Sequence, residues 1–441
     1  MALDKAIDSA QLDANLTAIA DAIRTKGGTS EALVFPDGFV SAVQAIQAGG
    51  GTITATTPKD VNFYDYDGTL LYSYTLEEAR ALTALPDGPT HDGLVFDGWN
   101  YSLESVKSLT RPMNIGAMYS TDDGTTRVYI HLEDGRTSPM LGICPNGTVT
   151  VDWGDGTTPD ILTGTSLITV QWTPTHNYVS SGDYVIKLTI DGEAQLYGSR
   201  DGHRCAYILG YVSDSDSRNR VYQNSVLKVE IGAGIHIGDH AFYGCSSLSS
   251  ITIPNGVTSI GNYAFSNCYS LSSITIPNGV TSIGSNAFYD CYSLWSITIS
   301  NGMTSIRNYA FQYCSSLSSI IIPNGVTSIG KYAFSDCYSL SSIIIPNGVT
   351  SIRDYAFQYC SSLSSITIPN GVTSIENYAF HTCSGIAYYD FTALSAVPTL
   401  SNTGVFAQIS ADCEIRVPAS LAEEWKAATN WATYADYIVG V

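Results

Sequence analysis

Two carboxylates open the search for chemistry. Asp65 and Asp67 stand two residues apart in "FYDYDGTLLYS", residues 63 to 73, and paired carboxylates can divide nucleophilic and acid/base work between them. Seven cysteines follow at a constant step of 23 residues: Cys245, Cys268, Cys291, Cys314, Cys337, Cys360 and Cys383. A row of thiols invites a metal or disulfide reading. His236 and His240 are four apart, as in a helical zinc pair, and Asp152, Asp155 and Asp160 could gather around calcium. No Ser/His/Asp or Cys/His arrangement stands out, and no glycine-rich phosphate loop follows a strand.

Each candidate meets a physical test. Asp-x-Asp-Gly-Thr-Leu resembles the signature of haloacid dehalogenase-like phosphatases, which implies Asp65 as nucleophile on phosphorus and Asp67 as its acid/base partner. Such an enzyme also needs a Lys and a distal acidic pair for Mg²⁺, for which Lys107 and Asp122–Asp123 are the available residues. Asp122 follows Asp65 too closely for the doubly wound sheet that would hold these groups together. A buried parallel strand before the motif would be continuously apolar, whereas "VNFYDYDGTLLYSY" alternates on both sides of Asp67–Gly68. Asp-Gly between alternating runs predicts a β-hairpin.

The thiols stand about 4.8 Å apart if they lie on stacked strands, and parallel side chains keep their Cβ atoms farther apart than the ~3.8 Å of a disulfide. A straight row cannot surround a tetrahedral zinc. They are therefore expected to pack a core as small apolar groups. His236 and His240 fall in register with Ser259 and Tyr263 of the following unit, which makes them repeat variants. The spacing of Asp152, Asp155 and Asp160 fits no known calcium loop. No catalytic residue, metal or cofactor is expected, and the chain reads as a non-enzyme.

The cysteine step is part of a larger repeat. Phe242, Phe265, Phe288, Phe311, Phe334, Phe357 and Phe380 keep the same spacing, as does Ile-Pro-Asn-Gly, with Ser300 in place of proline once. One unit reads "SLSSITIPNGVTSIGNYAFSNCY". Leu248, Ile251 and Ile253 would point inward from a short strand, Pro254–Gly256 would turn the chain, and Ala264 and Phe265 would fill the middle. A fixed period in this range with a Leu-x-x-Ile-x-Ile core predicts a solenoid. The pattern closely resembles the Treponema-type (BspA-like) leucine-rich repeat. A lone unit cannot offset the cost of ordering its backbone, so neighbours must supply strand ladders and shared burial, and the ends need caps.

Five segments result. Residues 1–50 are a helical attachment or oligomerisation segment, with Leu12, Leu16, Ile19 and Ile23 at helical spacing. Residues 57–110 are a small hairpin-containing module. Residues 111–198 carry short strands, and "VDWGDGTTPD" with "HNYVSSGDYVIKLTI" resembles a PKD-type immunoglobulin-like β-sandwich. Residues 226–391 are the leucine-rich-repeat solenoid. Residues 392–441 are its cap, a strand and then a helix, with Trp425 and Trp431 covering the last row. The fold class is mixed and mainly β.

Bulk composition excludes several functions. The net charge of −20 argues against a nucleic-acid binder and against docking on anionic lipid. No stretch of about 18 apolar residues occurs to insert into a membrane. The N-terminus lacks the compact apolar run of a secretory signal, so folding is expected in the cytoplasm of the cell that makes it.

The variable positions of the repeats are rich in tyrosine, which offers rigid contact area and a polar tip. Tyr263, Tyr309, Tyr332, Tyr355 and Tyr378 form one row; Tyr269, Tyr292 and Tyr338 form another, with Trp295 nearby. These nine are the candidate binding residues, for a protein or glycan of a host cell surface. Packing along the ladder is the other reading of the same rows. "LTAIADAIRTKGGTSEALVFPDGFVSAVQAI" resembles the opening segment of tail-associated proteins from phages of Gram-positive bacteria. That resemblance implies a virion tail fibre or receptor-binding protein, a homo-oligomer joined to other tail proteins through residues 1–50. The alternative is a bacterial cell-surface adhesin or protein-interaction module.

Overall fold

A short antiparallel hairpin begins the described chain. In a computed structural model the described residues are 59–109, 112–169, 171–173, 175–196, 209–210 and 223–441. The expected attachment segment, 1–50, lies outside them. Strands β1 (Val61–Tyr64) and β2 (Leu70–Tyr74) pair antiparallel, with Val61 opposite Tyr74. Gly68 turns the chain at φ +88°, so the Asp67–Gly68 hairpin forms as the alternation predicts.

The hairpin belongs to a four-stranded sheet. β1 also lies parallel to β4 (Met113–Thr121), and β4 pairs antiparallel with β3 (Leu94–Trp99). Short helices α1 (Leu76–Arg80) and α2 (Leu103–Lys107) connect the strands. Val61, Phe63, Trp99, Val106, Ile115 and Tyr119 make the module's own core. The expected boundary at residue 110 is therefore too early. β4 lies past that boundary in sequence, yet its pairing with β1 and β3 carries the module to about residue 121.

The next segment has β5 (Thr126–Leu132), β6 (Met140–Asp152), β7 (Asp160–Thr165), β8 (Gln171–Trp172) and β9 (Gly182–Leu196). It is fused to the solenoid rather than spaced from it. β5 runs antiparallel to Val226–Glu230, and the end of β9 runs parallel to Ile235–Ile237. Both strand rows of the solenoid thus begin on a strand of this segment, which caps an edge that would otherwise be open. At the seam Glu230 is 2% exposed and takes Lys228 at 2.8 Å, the Tyr129 hydroxyl at 3.0 Å and Arg127 at 3.4 Å.

The solenoid obeys its period. Ser273–Thr275 pairs in register with Ser296–Thr298, and Ser319–Ile321 with Ser342–Ile344. The phenylalanines from Phe242 to Phe380 stack with centroids 5.2–5.5 Å apart. Each cysteine is buried and free, and burial pushes its thiol up. The S–H donates to the carbonyl of the preceding turn's phenylalanine, as from Cys291 to Phe265 at 3.0 Å. The thiol is thus a small apolar filler that also completes a backbone acceptor.

The ladder runs past residue 391, where the repeat was expected to end. Leu400 pairs with Ile375, and Phe406 stacks on Phe380 at 5.7 Å and 1°. The step is 25 residues between the paired strands and 26 between the stacked rings, so the 23-residue period breaks in sequence while the stack continues in space. Trp425, on α3 (Ala422–Ala427), and Trp431 are fully buried against Phe391 and close the end as expected. One hydrophobic core runs from Val128 to Ile438. No helix among the described residues is long and apolar enough to cross a membrane.

Candidate functional site

The hairpin module lies on the first strand row, and two glycines allow it. A Cβ on Gly116 of β4 would sit 2.4 Å from the hydroxyls of Thr275 and Thr298, and one on Gly68 would sit 2.6 Å from the Trp295 ring. Asn100 donates to the Ile276 carbonyl at 3.3 Å, and Ser273 to the Tyr66 carbonyl at 3.2 Å. Ser273, Thr275, Ser296 and Thr298 are buried beneath it, whereas the equivalent Ser342, Ile344 and Thr367 are exposed. The flat strand face of those turns is therefore occupied by the chain itself.

The bend between the two strand rows is built differently. Each turn from Phe242 to Phe380 has two residues at positive φ there, one two positions before its phenylalanine and one two positions after it. The first set is His240, Tyr263, Asn286, Tyr309, Tyr332, Tyr355 and Tyr378; the second is Asn267, Asp290, Tyr313, Asp336, Tyr359 and Thr382, with Gly244. Backbone N–H groups at both positions donate to the next turn, as from Tyr309 to Lys331 at 2.8 Å and from Tyr313 to Ser335 at 3.0 Å. These inter-turn bonds hold bulky residues in a conformation that favours Gly, Asn and Asp.

In the first set the rings repay that strain by stacking. Tyr309–Tyr332, Tyr332–Tyr355 and Tyr355–Tyr378 stand 5.0, 4.5 and 5.1 Å apart and nearly parallel. His240 stacks on Tyr263 at 4.9 Å, in the register expected of a repeat variant. Asn286 interrupts the ladder, and Tyr378 lies against Gly404, where a Cβ would come within 2.4 Å of the ring. All five tyrosines of this row are half-buried.

The second set forms an outer ridge. Tyr292 and Tyr338 lie two residues beyond Asp290 and Asp336, while Tyr313 and Tyr359 occupy the Asp position itself and are followed by Ser315 and Ser361. Tyrosine alternates between two adjacent rows, one per turn. These four rings are 36–48% exposed. Tyr292 stacks on Tyr269 at 5.0 Å, and Tyr313 meets Tyr289 edge to face at 5.4 Å. Asp336, 7% exposed, accepts from Ser335 at 2.6 Å and from the Tyr338 hydroxyl at 2.9 Å. Burial and that carboxylate push the Tyr338 phenol up to about 12. Burial raises the Asp290 carboxyl, partly opposed by the Tyr269 hydroxyl. The carboxylates thus point at phenols, and the outward surface is aromatic and hydroxyl-bearing.

The nine candidate residues divide accordingly. Tyr263, Tyr309, Tyr332, Tyr355 and Tyr378 form the inner ladder. Tyr269, Tyr292 and Tyr338 join the ridge, and Trp295 borders the docked module. Sequence reasoning passed over Tyr313, Tyr359, Asp290 and Asp336. Their signal was present: they share one register with Asn267 and Gly244, residues suited to positive φ.

The other chemical candidates are dispersed. Asp65 is buried and holds the Tyr119 hydroxyl and His91 Nε2, both at 2.9 Å, while Asp67 accepts from the Thr69 N–H in the turn. Lys107 pairs with Glu104, and Asp122 and Asp123 with Arg127. Asp160 accepts from the Trp153 indole, Asp155 faces His176, and Asp152 accepts from the Gly154 N–H.

A family model for the BspA type leucine rich repeat region matches residues 235–363 and 327–423 in six copies. This chain belongs to the BspA-type leucine-rich repeat proteins. Among solved structures it is similar to a leucine-rich repeat protein of T. pallidum, at 32% identity over 37% of this chain and 72% of that one, with a TM-score of 0.33. It is also similar to a leucine-rich cell surface protein of Faecalibacterium prausnitzii, at 22% identity over 53% and 86%, TM-score 0.28. A third is the pneumococcal vaccine antigen PcpA, at 16% over 49% and 66%, TM-score 0.30. No curated protein matches the chain significantly.

Proposed function

We propose that this BspA-type protein is a non-enzymatic recognition protein of a cell surface, serving adhesion or protein interaction through its solenoid. The observation that carries this reading is the ridge: Tyr292, Tyr313, Tyr338 and Tyr359 lie exposed in consecutive turns. Leucine-rich repeats are generally binding modules, and rigid aromatic surface is costly to leave in water without a partner. The strand face is a poorer recognition surface, because the hairpin module covers its first turns.

The test is saturable binding of the labelled full chain to intact cells. A ridge variant, Tyr292→Ser, Tyr313→Asn, Tyr338→Ser and Tyr359→Asn, copies residues already found at the same positions in other turns. Loss of binding with an unchanged melting temperature supports the reading; undiminished binding overturns it. A second reading, a phage tail fibre attached as a homo-oligomer through residues 1–50, rests on the resemblance of that segment. Purified phage particles from a lysed host would contain the chain.

A further inference from the structure

We infer that the tyrosine ridge binds a neutral polysaccharide laid along the solenoid axis. This rests on the proposed recognition role and names its ligand class. Three observations converge on it.

The first is exposure of a bulky ring at a strained position. Tyr313 and Tyr359 hold φ of 63° and 61° at positions where other turns have Asn267, Asp290 and Asp336. In the inner ladder parallel stacking offsets such strain. Here each ring makes only an edge contact, with Tyr289 and with His381 at 5.8 Å, and over a third of it stays in solvent. The scaffold demands positive φ at this position in every turn, and Asn or Asp meets that demand at less cost than an exposed aromatic, so the two rings are kept for their outward surface.

The second is charge. The basic residues of the array, Arg307, Lys331 and Arg353, stand in sequence just before inner-ladder tyrosines, and Lys331 and Arg353 pair there with Asp354 and Glu376. None stands in the two ridge rows. With no outward cation in those rows, the ridge offers an anionic glycan no ion pair. A cationic peptide would seek outward carboxylates, but Asp336 is buried and turned to Ser335 and Tyr338. Ring faces and phenol hydroxyls remain. They match the C–H faces and hydroxyls of an uncharged sugar.

The third is periodicity. One tyrosine recurs per turn from Tyr292 to Tyr359, in alternating rows, and the turns themselves step at the 5.2–5.5 Å of the phenylalanine stack. A one-dimensional array suits a ligand that itself repeats, because successive weak contacts then add along one chain.

The experiment is affinity electrophoresis of the full chain in native gels containing a soluble neutral glucan, mannan or galactan, with polygalacturonate as the anionic control. At least one neutral polymer should retard the protein, and the fourfold ridge variant should lose about tenfold or more of that affinity. Its melting temperature should not change. The inference is overturned if none of the three neutral polymers retards the chain, if the variant is retarded equally, or if polygalacturonate acts as well. Ridge-dependent cell binding that survives periodate treatment of the cells but not trypsin would leave the recognition role standing and overturn the glycan.

Discussion

The inner ladder and the outer ridge use the same residue at the same 23-residue step, yet they are different objects. In the ladder Tyr309, Tyr332, Tyr355 and Tyr378 lie face to face at 4.5–5.1 Å and are half-buried. On the ridge from Tyr292 to Tyr359 the tyrosines alternate with Asp or Ser, and their rings reach solvent. An unbroken row means that each ring is the packing surface of the next. A row that skips a turn leaves each ring free for something outside the molecule. The comparison separates structural aromatics from available ones without reference to conservation.

Substitutions can break or sharpen that contrast. The largest effect should come from the core beneath both rows. Phe334→Ala removes one ring from the middle of the phenylalanine stack and should cost about 3–5 kcal/mol in denaturant unfolding. Gly116→Val sets a side chain against Thr275 and Thr298 and should cost about 1–3 kcal/mol, read as earlier proteolysis of the hairpin module. If that module stays protected, its docking on the strand face is not as tight as the glycine contacts imply.

Tyr332→Ala, taken from between two stacked rings, should cost about 1–2 kcal/mol and leave cell binding unchanged. Tyr313→Asn should do the reverse, changing stability by less than about 0.5 kcal/mol while weakening binding. The smallest effect should follow Asp290→Asn. Burial raises this carboxyl, so the folded state favours its neutral form. Its stabilising contribution is present below the ordinary carboxylate pKa and is lost as pH rises through the folded value. The variant should therefore melt slightly higher than the parent at neutral pH and gain nothing in acid.

Much of this was legible in sequence. The 23-residue step of Phe and Cys fixed the solenoid, because a residue that recurs at one period must occupy one place in every turn. Asp67–Gly68 between alternating runs announced its hairpin, and the register of His240 with Tyr263 dismissed a zinc pair. Other features were hidden for physical reasons. The insertion before Phe406 broke the period without breaking the stack. The apolar run Met113–Thr121 looks the same whether it pairs with strands before or after it. The covered strand face depends on long-range docking that two glycines permit but do not announce. The ridge was missed because Tyr313 and Tyr359 do not recur in a simple row but alternate with Asp in the register of Asn267 and Gly244.

The most direct measurement sets the two tyrosine systems side by side. The fourfold ridge variant and a ladder variant, Tyr309→Asn with Tyr332→Asn and Tyr355→Asn, would each be assayed for melting and for saturable binding to intact cells. The ridge variant should keep its melting temperature and lose binding, and the ladder variant should melt earlier and, below its transition, still bind. Loss of binding only in the ladder variant, while it remains folded, would contradict the assignment of recognition to the ridge.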